Sequence, residues 1–247
     1  MAFSQEFARI NAHEVFMVKL GEITDIVCHP SNNNFILSCA RDGTIKLWDV
    51  TTKICLIHIE YNATVTAFSP QGDCLLVGNS KGDVLKVDFP PVAVLERLKR
   101  PITVLDFTTM FPSKHHNATI DCLAVVGSEV ISKSKNGNVF NWSLESGEIL
   151  SRFRVRNSSY NSSRFGISPN SKYMCVGNET GLVYIYSLAD GKMLAELRHR
   201  RSARPITSCV FAANGRNVVC ANDSGFLLRF DYITPATLEE WAAWSFE

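Results

Sequence analysis

The sequence predicts an all-β fold, a β-propeller of four-stranded blades, and three observations lead to this prediction. Five segments repeat one pattern, a glycine turn occupies the same place in each, and about four β-rich runs occur per repeat. Several sequential units of four short strands are typical of propeller blades, which stand side by side around a common axis.

The five repeated segments each carry a glycine at their third position. They are RDGTIKLWDV, SKGDVLKVDF, KNGNVFNWSL, ETGLVYIYSL and DSGFLLRFDY, with Gly43, Gly82, Gly137, Gly181 and Gly225. These glycines follow one another at intervals of 39, 55, 44 and 44 residues. A period of about 40–45 residues is the length of one propeller unit, so only the second interval is abnormal.

Each unit has a physical explanation. The apolar run before the glycine predicts a strand that ends in a tight turn, where glycine adopts a positive φ at low cost. The alternating segment that follows predicts a second strand, with Ile45 and Leu47 on one face and Lys46 and Trp48 on the other. Further apolar runs upstream and downstream complete four strands.

The chain resembles the WD40-repeat family from about residue 15 to residue 232. Trp48-Asp49 stands at the place of the family's signature dipeptide, after Asp42-Gly43. The other units carry Val87-Asp88, Trp142-Ser143, Tyr186-Ser187 and Phe230-Asp231 there. The resemblance implies a propeller whose loops bind other macromolecules. No unit has the family's Gly-His dipeptide, so the family's Asp–His–Ser/Thr–Trp hydrogen-bond network is predicted to be incomplete in every unit. Only the first unit keeps the other three members together, as Asp42, Ser38 and Trp48. Stability is therefore expected to come mainly from apolar packing between blades.

The predicted division assigns 1–232 to the propeller and 233–247 to a C-terminal tail. The repeat cores lie near 21–59, 61–98, 119–155, 162–198 and 205–232, and an extra segment spans 101–118. The long second interval is expected to supply an outer strand, then a strand-like ITVLDF and a polar loop. The N-terminal VFMVKL looks like an outermost strand, and the resemblance implies that such a strand completes the last blade. Five blades, six blades and an open ring completed by a partner all remain compatible with the sequence.

Catalytic patterns are absent from the sequence. It contains no P-loop, no G-x-G-x-x-G after a strand, no H-E-x-x-H and no G-x-S-x-G, so we expect no enzyme activity, no cofactor and no small-molecule substrate. His115-His116 is the only histidine pair, and a solvated loop is its expected place, because adjacent side chains on an extended chain chelate poorly. No metal site is therefore predicted, and the eight cysteines are interpreted as small buried apolar residues.

Whole-chain charge indicates no particular partner, because 25 Lys and Arg residues balance 24 Asp and Glu residues. The N-terminus has no basic start followed by an apolar run, and no apolar stretch approaches the ~20 residues that cross a bilayer. The expected location is intracellular, cytoplasmic or nuclear or both, without secretion and without a membrane partner.

Basic residues gather where an outer strand is predicted to pass to the next inner strand. These candidate rim residues are Arg97, Lys99, Arg100, Arg154, Arg156, Arg198, Arg200, Arg201 and Arg204. In proteins of this kind such junctions lie on one rim, so they predict a positive arc for an acidic or phosphorylated peptide or a nucleic-acid backbone. The alternative is that these side chains simply solubilise exposed loops.

The tail departs from the repeat. Thr237 and Glu240 have capping-box spacing, which favours a short helix, and a last strand on the rim is the other interpretation. A docking peptide with Trp241 and Trp244 as aromatic anchors is a third possibility.

The favoured function is a non-enzymatic scaffold that holds other proteins in a complex. The alternative is a reader of acidic or phosphorylated peptides or of nucleic acid through the basic rim. A substrate receptor of a cullin-type ubiquitin ligase is less favoured, because such proteins often carry Arg where Thr51 stands.

Overall fold

The computed structural model describes residues 21–98, 102–103, 108–111, 116–156, 163–200 and 203–232. This part of the chain is almost entirely β-structure and contains a single short helix. The strands, in chain order, are β1 (Ile23–Cys28), β2 (Phe35–Ala40), β3 (Thr44–Asp49), β4 (Ile54–Glu60), β5 (Ala63–Phe68), β6 (Cys74–Asn79), β7 (Val84–Asp88), β8 (Ile102–Thr103), β9 (Thr108–Phe111), β10 (Ile120–Val126), β11 (Glu129–Ser134), β12 (Asn138–Ser143), β13 (Ile149–Arg154), β14 (Gly166–Ile167), β15 (Tyr173–Gly177), β16 (Leu182–Ser187), β17 (Met193–Arg198), β18 (Ile206–Phe211), β19 (Asn217–Asn222) and β20 (Leu227–Asp231). The helix α1 (Val92–Leu95) follows β7.

The strands form five sheets, which confirms the predicted all-β fold of propeller blades. Sheet 1 has the order β1-β2-β3-β4-β8, and sheet 2 has the order β5-β6-β7-β9. Sheet 3 is β10-β11-β12-β13, sheet 4 is β14-β15-β16-β17, and sheet 5 contains β18-β19-β20 among the described residues. Except for β8, every strand is antiparallel to its neighbour in the sheet.

The repeat is also visible in the backbone. All five aligned glycines have a positive φ, between 79° at Gly43 and 95° at Gly82, as the predicted tight turns require. One hydrogen bond of 2.7–3.0 Å recurs in every sheet, from the amide just after the third strand to a carbonyl just before the second. These bonds are Val50 N to Asn34 O, Phe89 N to Asp73 O, Leu144 N to Ser128 O, Leu188 N to Lys172 O and Tyr232 N to Arg216 O.

The order of elements in the long second interval differs from the prediction. The segment after β7 forms α1, not an outer strand, and its Leu95 is buried beneath sheets 1 and 2. Strand β8 joins the outer edge of sheet 1 in parallel, with Ile57 opposite Ile102. The outer strand of sheet 2 is β9, which pairs with β7. The segment 101–118, predicted as extra, therefore contains the outer strand of the second sheet.

Apolar packing between consecutive sheets forms the core. Four separate clusters of buried side chains join sheets 1 and 2, 2 and 3, 3 and 4, and 4 and 5. Leu47 and Leu75 belong to the first cluster, and neither exposes any surface. In the described residues, stability thus depends on the packing between blades that the sequence predicts.

The outward faces of the first and last sheets are different. Ile26 of β1 is 58% exposed, and Leu227 of β20 is 77% exposed. No buried cluster joins sheets 5 and 1 within the described ranges. Both flanks therefore expose large apolar side chains.

Among the described residues, one ion pair has both side chains fully buried. Lys133 Nζ of β11 lies 2.7 Å from Asp121 Oδ2 of β10, and their side chains are 0% and 2% exposed. The same Oδ2 accepts a hydrogen bond of 3.3 Å from the backbone amide of Ser163, which leads into sheet 4. The Asp121 carboxylate therefore neutralises a buried cation and ties two sheets together.

The thiols are free, and six of the eight cysteines are buried. Burial raises the pKa of the Cys122 thiol to about 12, so this side chain is an apolar packing residue and not a nucleophile. Cys28 departs from the expectation of burial, since it is exposed.

The buried pair predicts a large effect of Asp121→Ala. This change leaves the Lys133 ammonium buried without its counterion, which costs about 3–5 kcal/mol of the free energy of unfolding. Adding Lys133→Met to Asp121→Ala removes the uncompensated charge and recovers part of that loss. Urea denaturation measures both effects.

The control for this prediction is the exposed pair Glu22–Arg41, in which the side chains are 66% and 70% exposed. Glu22→Ala should cost less than about 1 kcal/mol. Equal losses for Asp121→Ala and Glu22→Ala would contradict the role assigned to the buried pair.

Candidate interaction surface

One end of the sheets carries both the glycine turns and the connections from outer to inner strands, and we call it the junction face. Backbone hydrogen bonds place these two kinds of loop together, from Tyr61 N to Gly43 O in sheet 1 and from Val155 N to Gly137 O in sheet 3. Near sheet 5, Ile206 N donates to Asn178 O of sheet 4. The turns between first and second strands lie at the opposite end, which we call the opposite face.

Five of the predicted rim arginines lie exposed on the junction face. Arg154 is the last residue of β13 and Arg156 lies in the connection that follows. Arg198 is the last residue of β17, and Arg200 and Arg204 lie in the connection that follows. Among described residues, none of these five guanidinium groups has an ion-pair partner. Sheets 3, 4 and 5 are consecutive, and we call these five arginines the basic rim.

Contacts with sheets 3 and 4 hold Arg154 and Arg156 of the rim in place. Arg154 Nε donates a hydrogen bond of 3.2 Å to the carbonyl oxygen of Asn136, in the glycine turn of sheet 3. The next residue, Val155, is buried in the cluster between sheets 3 and 4. The backbone amide of Arg156 donates to Tyr186 Oη at 3.4 Å. The positions of both arginines therefore follow from packed neighbours.

Arg97 does not belong to this rim, contrary to the prediction. It follows α1, and the adjacent Glu96 accepts a hydrogen bond from the side chain of Asn32, which lies in the first turn of sheet 1 on the opposite face. The physical reason is that the outer strand of sheet 2 is β9, which comes after Arg97. Of the remaining predicted residues, Lys99, Arg100, Arg201, Trp241 and Trp244 lie outside the described residues.

His116 corrects a second prediction, because it is fully buried and not part of a solvated loop. Its Nε2 lies 2.7 Å from Ser132 Oγ, and its Nδ1 lies 2.8 Å from Ser134 Oγ. Trp142 Nε1 donates to the same Ser132 oxygen at 2.7 Å. The third unit thus combines a histidine with the serine and the tryptophan, whereas the sequence analysis predicted this histidine in no unit.

The network continues into the glycine turn. Ser134 Oγ donates to Asn136 Oδ1 at 2.7 Å, and Asn136 Nδ2 donates to the carbonyl oxygen of His116 at 2.9 Å. Each hydroxyl has one donor and one acceptor neighbour if His116 carries its proton on Nδ1. Asn136, which takes the place of the family's aspartate, is the residue whose carbonyl receives Arg154. The buried network consequently fixes the turn on which part of the rim rests.

At the centre of the described sheets, Arg164 links sheet 4 to sheet 1. Its Nη1 lies 2.8 Å from Asp25 Oδ1, and its Nη2 donates to the carbonyl oxygen of Thr24 at 3.0 Å. Burial lowers the pKa of this guanidinium, but the charge and hydrogen bond of Asp25 outweigh burial, so the pKa lies above its usual value. Asp25 Oδ2 also accepts the backbone amide of Thr66 in sheet 2 at 2.9 Å. No sequence pattern indicated Arg164, because its partners lie more than a hundred residues away.

The described ranges contain neither a cluster of metal-ligating side chains nor a membrane-spanning helix. Their His, Cys, Asp and Glu side chains form no group of three or more that could hold a metal ion. None of their helices has the length and apolar character required to cross a membrane.

The sheets and their recurring turns are those of a WD40-type β-propeller, as are the hydrogen bonds from Trp142 Nε1 to Ser132 Oγ and, at 3.0 Å, from Trp48 Nε1 to Ser38 Oγ. Residues 9–49 match the WD40 family, described as WD domain, G-beta repeat. This match supports the WD40-repeat family that the sequence resembles. Proteins of this family typically bind other proteins in complexes and are generally non-catalytic scaffolds.

Similar proteins support the same family. The chain is 28% identical to Transducin beta-like protein 2 of Homo sapiens over 155 residues, which is 58% of this chain and 32% of that protein. It is 24% identical to Polycomb group protein FIE1 of Zea mays over 200 residues, which is 65% of this chain and 40% of that protein. The alignments thus span 32% to 40% of the lengths of these two curated relatives.

The buried network predicts that Ser132→Ala is destabilising. The change removes the acceptor of Trp142 Nε1 and the partner of His116 Nε2, and both groups stay buried. We expect a loss of about 2–4 kcal/mol in the free energy of unfolding, measured by urea denaturation. Ser146→Ala in an exposed turn is the control and should change it by less than about 0.5 kcal/mol. A loss at Ser132 no larger than the control's would refute the network's importance.

Proposed function

We propose that this chain is a non-enzymatic scaffold that holds partner proteins in an intracellular complex and binds an acidic segment of one partner on its basic rim. The observation that carries the proposal is the rim itself, five exposed arginines on one face of three consecutive sheets. The match to the WD40 family supports the scaffold role, because a propeller of this class presents its loops on a rigid ring.

The chemistry of the rim favours carboxylate or phosphate ligands. Arginine presents a planar fork of donors that matches the two oxygens of a carboxylate or phosphate. Holding a guanidinium group in a fixed place lowers the entropy cost of binding, and the hydrogen bond from Arg154 Nε to the Asn136 carbonyl supplies this order for Arg154. The same face also carries Glu179 and Asp223 in its glycine turns, so the positive charge is concentrated at the strand connections. A peptide of mixed sequence with a short acidic run fits this distribution better than a uniform polyanion.

The first experiment compares two triple charge reversals of equal net charge. One is Arg198→Glu, Arg200→Glu and Arg204→Glu on the rim. The other is Lys53→Glu, Arg97→Glu and Lys172→Glu, at exposed positions of the opposite face. Each full-length protein is titrated with a fluorescent peptide of mixed sequence that contains a short run of glutamates, and with a single-stranded DNA of the same net charge, at low and at raised salt.

We expect the rim triple to weaken peptide binding at least tenfold and the opposite-face triple to change it less than twofold. DNA that binds the wild type more tightly than the peptide, with a steeper fall in affinity as salt rises, would identify a nucleic-acid reader. Equal effects of the two triples would show that net charge and not the rim governs binding.

The scaffold role is tested separately by affinity purification from cells with quantitative mass spectrometry. The wild type should recover at least two proteins in one complex, and the rim triple should lose a subset while the opposite-face triple retains them all. Recovery of no protein by the wild type, or recovery of the same set by both triples, would contradict the proposal.

A further inference from the structure

Sheet 1 shows that the outer edge of a blade in this protein accepts an added strand. Strand β8 lies parallel to the outer strand β4, with Ile57 opposite Ile102 and His58 opposite Thr103. A strand that joins an exposed edge in this way pairs through backbone groups, and its side chains then determine which sequence fits. The outer edges of the other sheets are therefore candidate sites for an extended segment of a partner protein.

The outer strand of sheet 3, β13, presents an open edge of this kind. The amide of Val155, just after β13, donates to Gly137 O, and the hydrogen bonds between β12 and β13 use every second residue counted back from it. The backbone amides and carbonyls of Arg152 and Arg154 consequently face away from β12. Among the described residues, no backbone group bonds to them.

Register places this edge where β8 joins sheet 1. Arg152 lies opposite Phe140 in sheet 3, and His58 lies opposite Lys46 in sheet 1. Both outer residues stand three positions before the residue whose amide bonds the glycine of the turn, which is Val155 in sheet 3 and Tyr61 in sheet 1. Arg152 is thus the equivalent of the residue that β8 pairs with.

The side chains along this edge indicate the chemistry of the segment that fits it. Leu150 is 52% exposed, and Arg152 and Arg154 are exposed on the same strand. Neither guanidinium has an ion-pair partner among the described residues. An apolar residue followed by two alternate acidic residues matches this order of one apolar side chain and two positive charges.

A groove of about 500 Å³ lies beside the edge. It is lined by Ile149, Leu150, Ser151, Arg152, Ala189 and Asp190. The Asp190 carboxylate is paired with Lys192 Nζ at 3.2 Å, so the uncompensated charge of the groove is that of Arg152. The apolar side chains at its other end offer a place for an apolar side chain of the added segment.

The outer edge of sheet 4 differs in charge. Glu196 lies opposite Tyr184 and Arg198 lies opposite Leu182, so these two residues of β17 are the equivalents of Arg152 and Arg154. A carboxylate in the first position repels an acidic strand. Backbone groups are alike on both edges, and charge therefore favours β13.

We propose that the outer edge of β13 binds an extended acidic segment of a partner protein as a fifth, parallel strand of sheet 3. Its apolar residue lies beside Leu150, and two alternate acidic residues lie beside Arg152 and Arg154. The parallel direction is that of β8 on sheet 1. This inference rests on the proposed function, because Arg154 also belongs to the basic rim, and it adds the conformation and the path of the acidic segment.

Backbone methylation of a peptide tests the added strand. The probe is a fluorescent hexapeptide, Leu-Thr-Glu-Thr-Glu-Thr, titrated against the full-length protein at low salt. In the proposed pairing, the amide of the threonine between the glutamates faces β13, and the amide of the second glutamate faces away. N-methylation of that threonine is expected to weaken binding at least about tenfold, and N-methylation of that glutamate less than about twofold. Equal effects of the two methyl groups would overturn the added strand.

The matched protein variants are Arg152→Glu at the edge and Lys172→Glu at an exposed position of the opposite face. Arg152→Glu is expected to weaken binding of the hexapeptide at least about tenfold, and Lys172→Glu less than about twofold. The reversed peptide, Thr-Glu-Thr-Glu-Thr-Leu, should bind the wild type more weakly than the hexapeptide. Tighter binding of the reversed peptide would refute the parallel direction.

These results separate the added strand from the proposed function. Binding that the rim triple loses, but that Arg152→Glu and threonine methylation leave unchanged, would overturn the strand and leave the basic rim as the site. The same conclusion follows if the wild type binds the peptide of mixed sequence but not the hexapeptide. Binding of neither peptide by the wild type would contradict both proposals.

Discussion

None of the five described sheets covers its apolar side chains by itself. A twisted four-stranded sheet buries its faces only against other sheets, so the unit of stability is the boundary between two blades and not the blade. The four buried clusters lie at those boundaries, and each is completed by side chains from both sheets. The interaction surface depends on this packing, because the connections that carry the rim arginines begin at residues such as Val155 that are buried in it.

Polar contacts add direction to this packing. Asp25 and Asp121 stand near the starts of two inner strands, and each accepts a backbone amide from the following sheet. Apolar side chains tolerate small shifts of one sheet against another, whereas a carboxylate that must meet one amide allows a single register. Arg164 then forms an ion pair with the second oxygen of Asp25 across the centre. Hydrogen bonds and an ion pair of Asp25 and Asp121 thus fix the positions of these inner strands, whereas apolar side-chain packing holds the outer parts of the sheets together.

Much of the fold was predictable because the same sequence pattern occurs five times along the chain. The five glycines, Trp48 and the alternating strands follow local rules, and the structure confirms them. The position of His116 was not predictable by dipeptide matching, because the residue before it is His115 and not glycine. Its distance of four residues before Ile120, with serines on the paired strand, was the available signal. The ion pairs of Lys133 and Arg164 could not be predicted from the neighbouring sequence, because the fold brings their partners close. The rim was predicted in part, and the misplacement of Arg97 followed from assigning the outer strand of sheet 2 too early.

Strand β8 has a consequence for how the protein unfolds. The chain leaves sheet 2, adds two residues to the far edge of sheet 1, and then returns to complete sheet 2 with β9. Sheet 2 therefore cannot detach as an intact unit without also removing a strand from its neighbour. In an array of repeats coupled only to their nearest neighbours, such a shared strand merges two repeats into one cooperative block. Sheets 1 and 2 should therefore unfold together, as one cooperative unit rather than two.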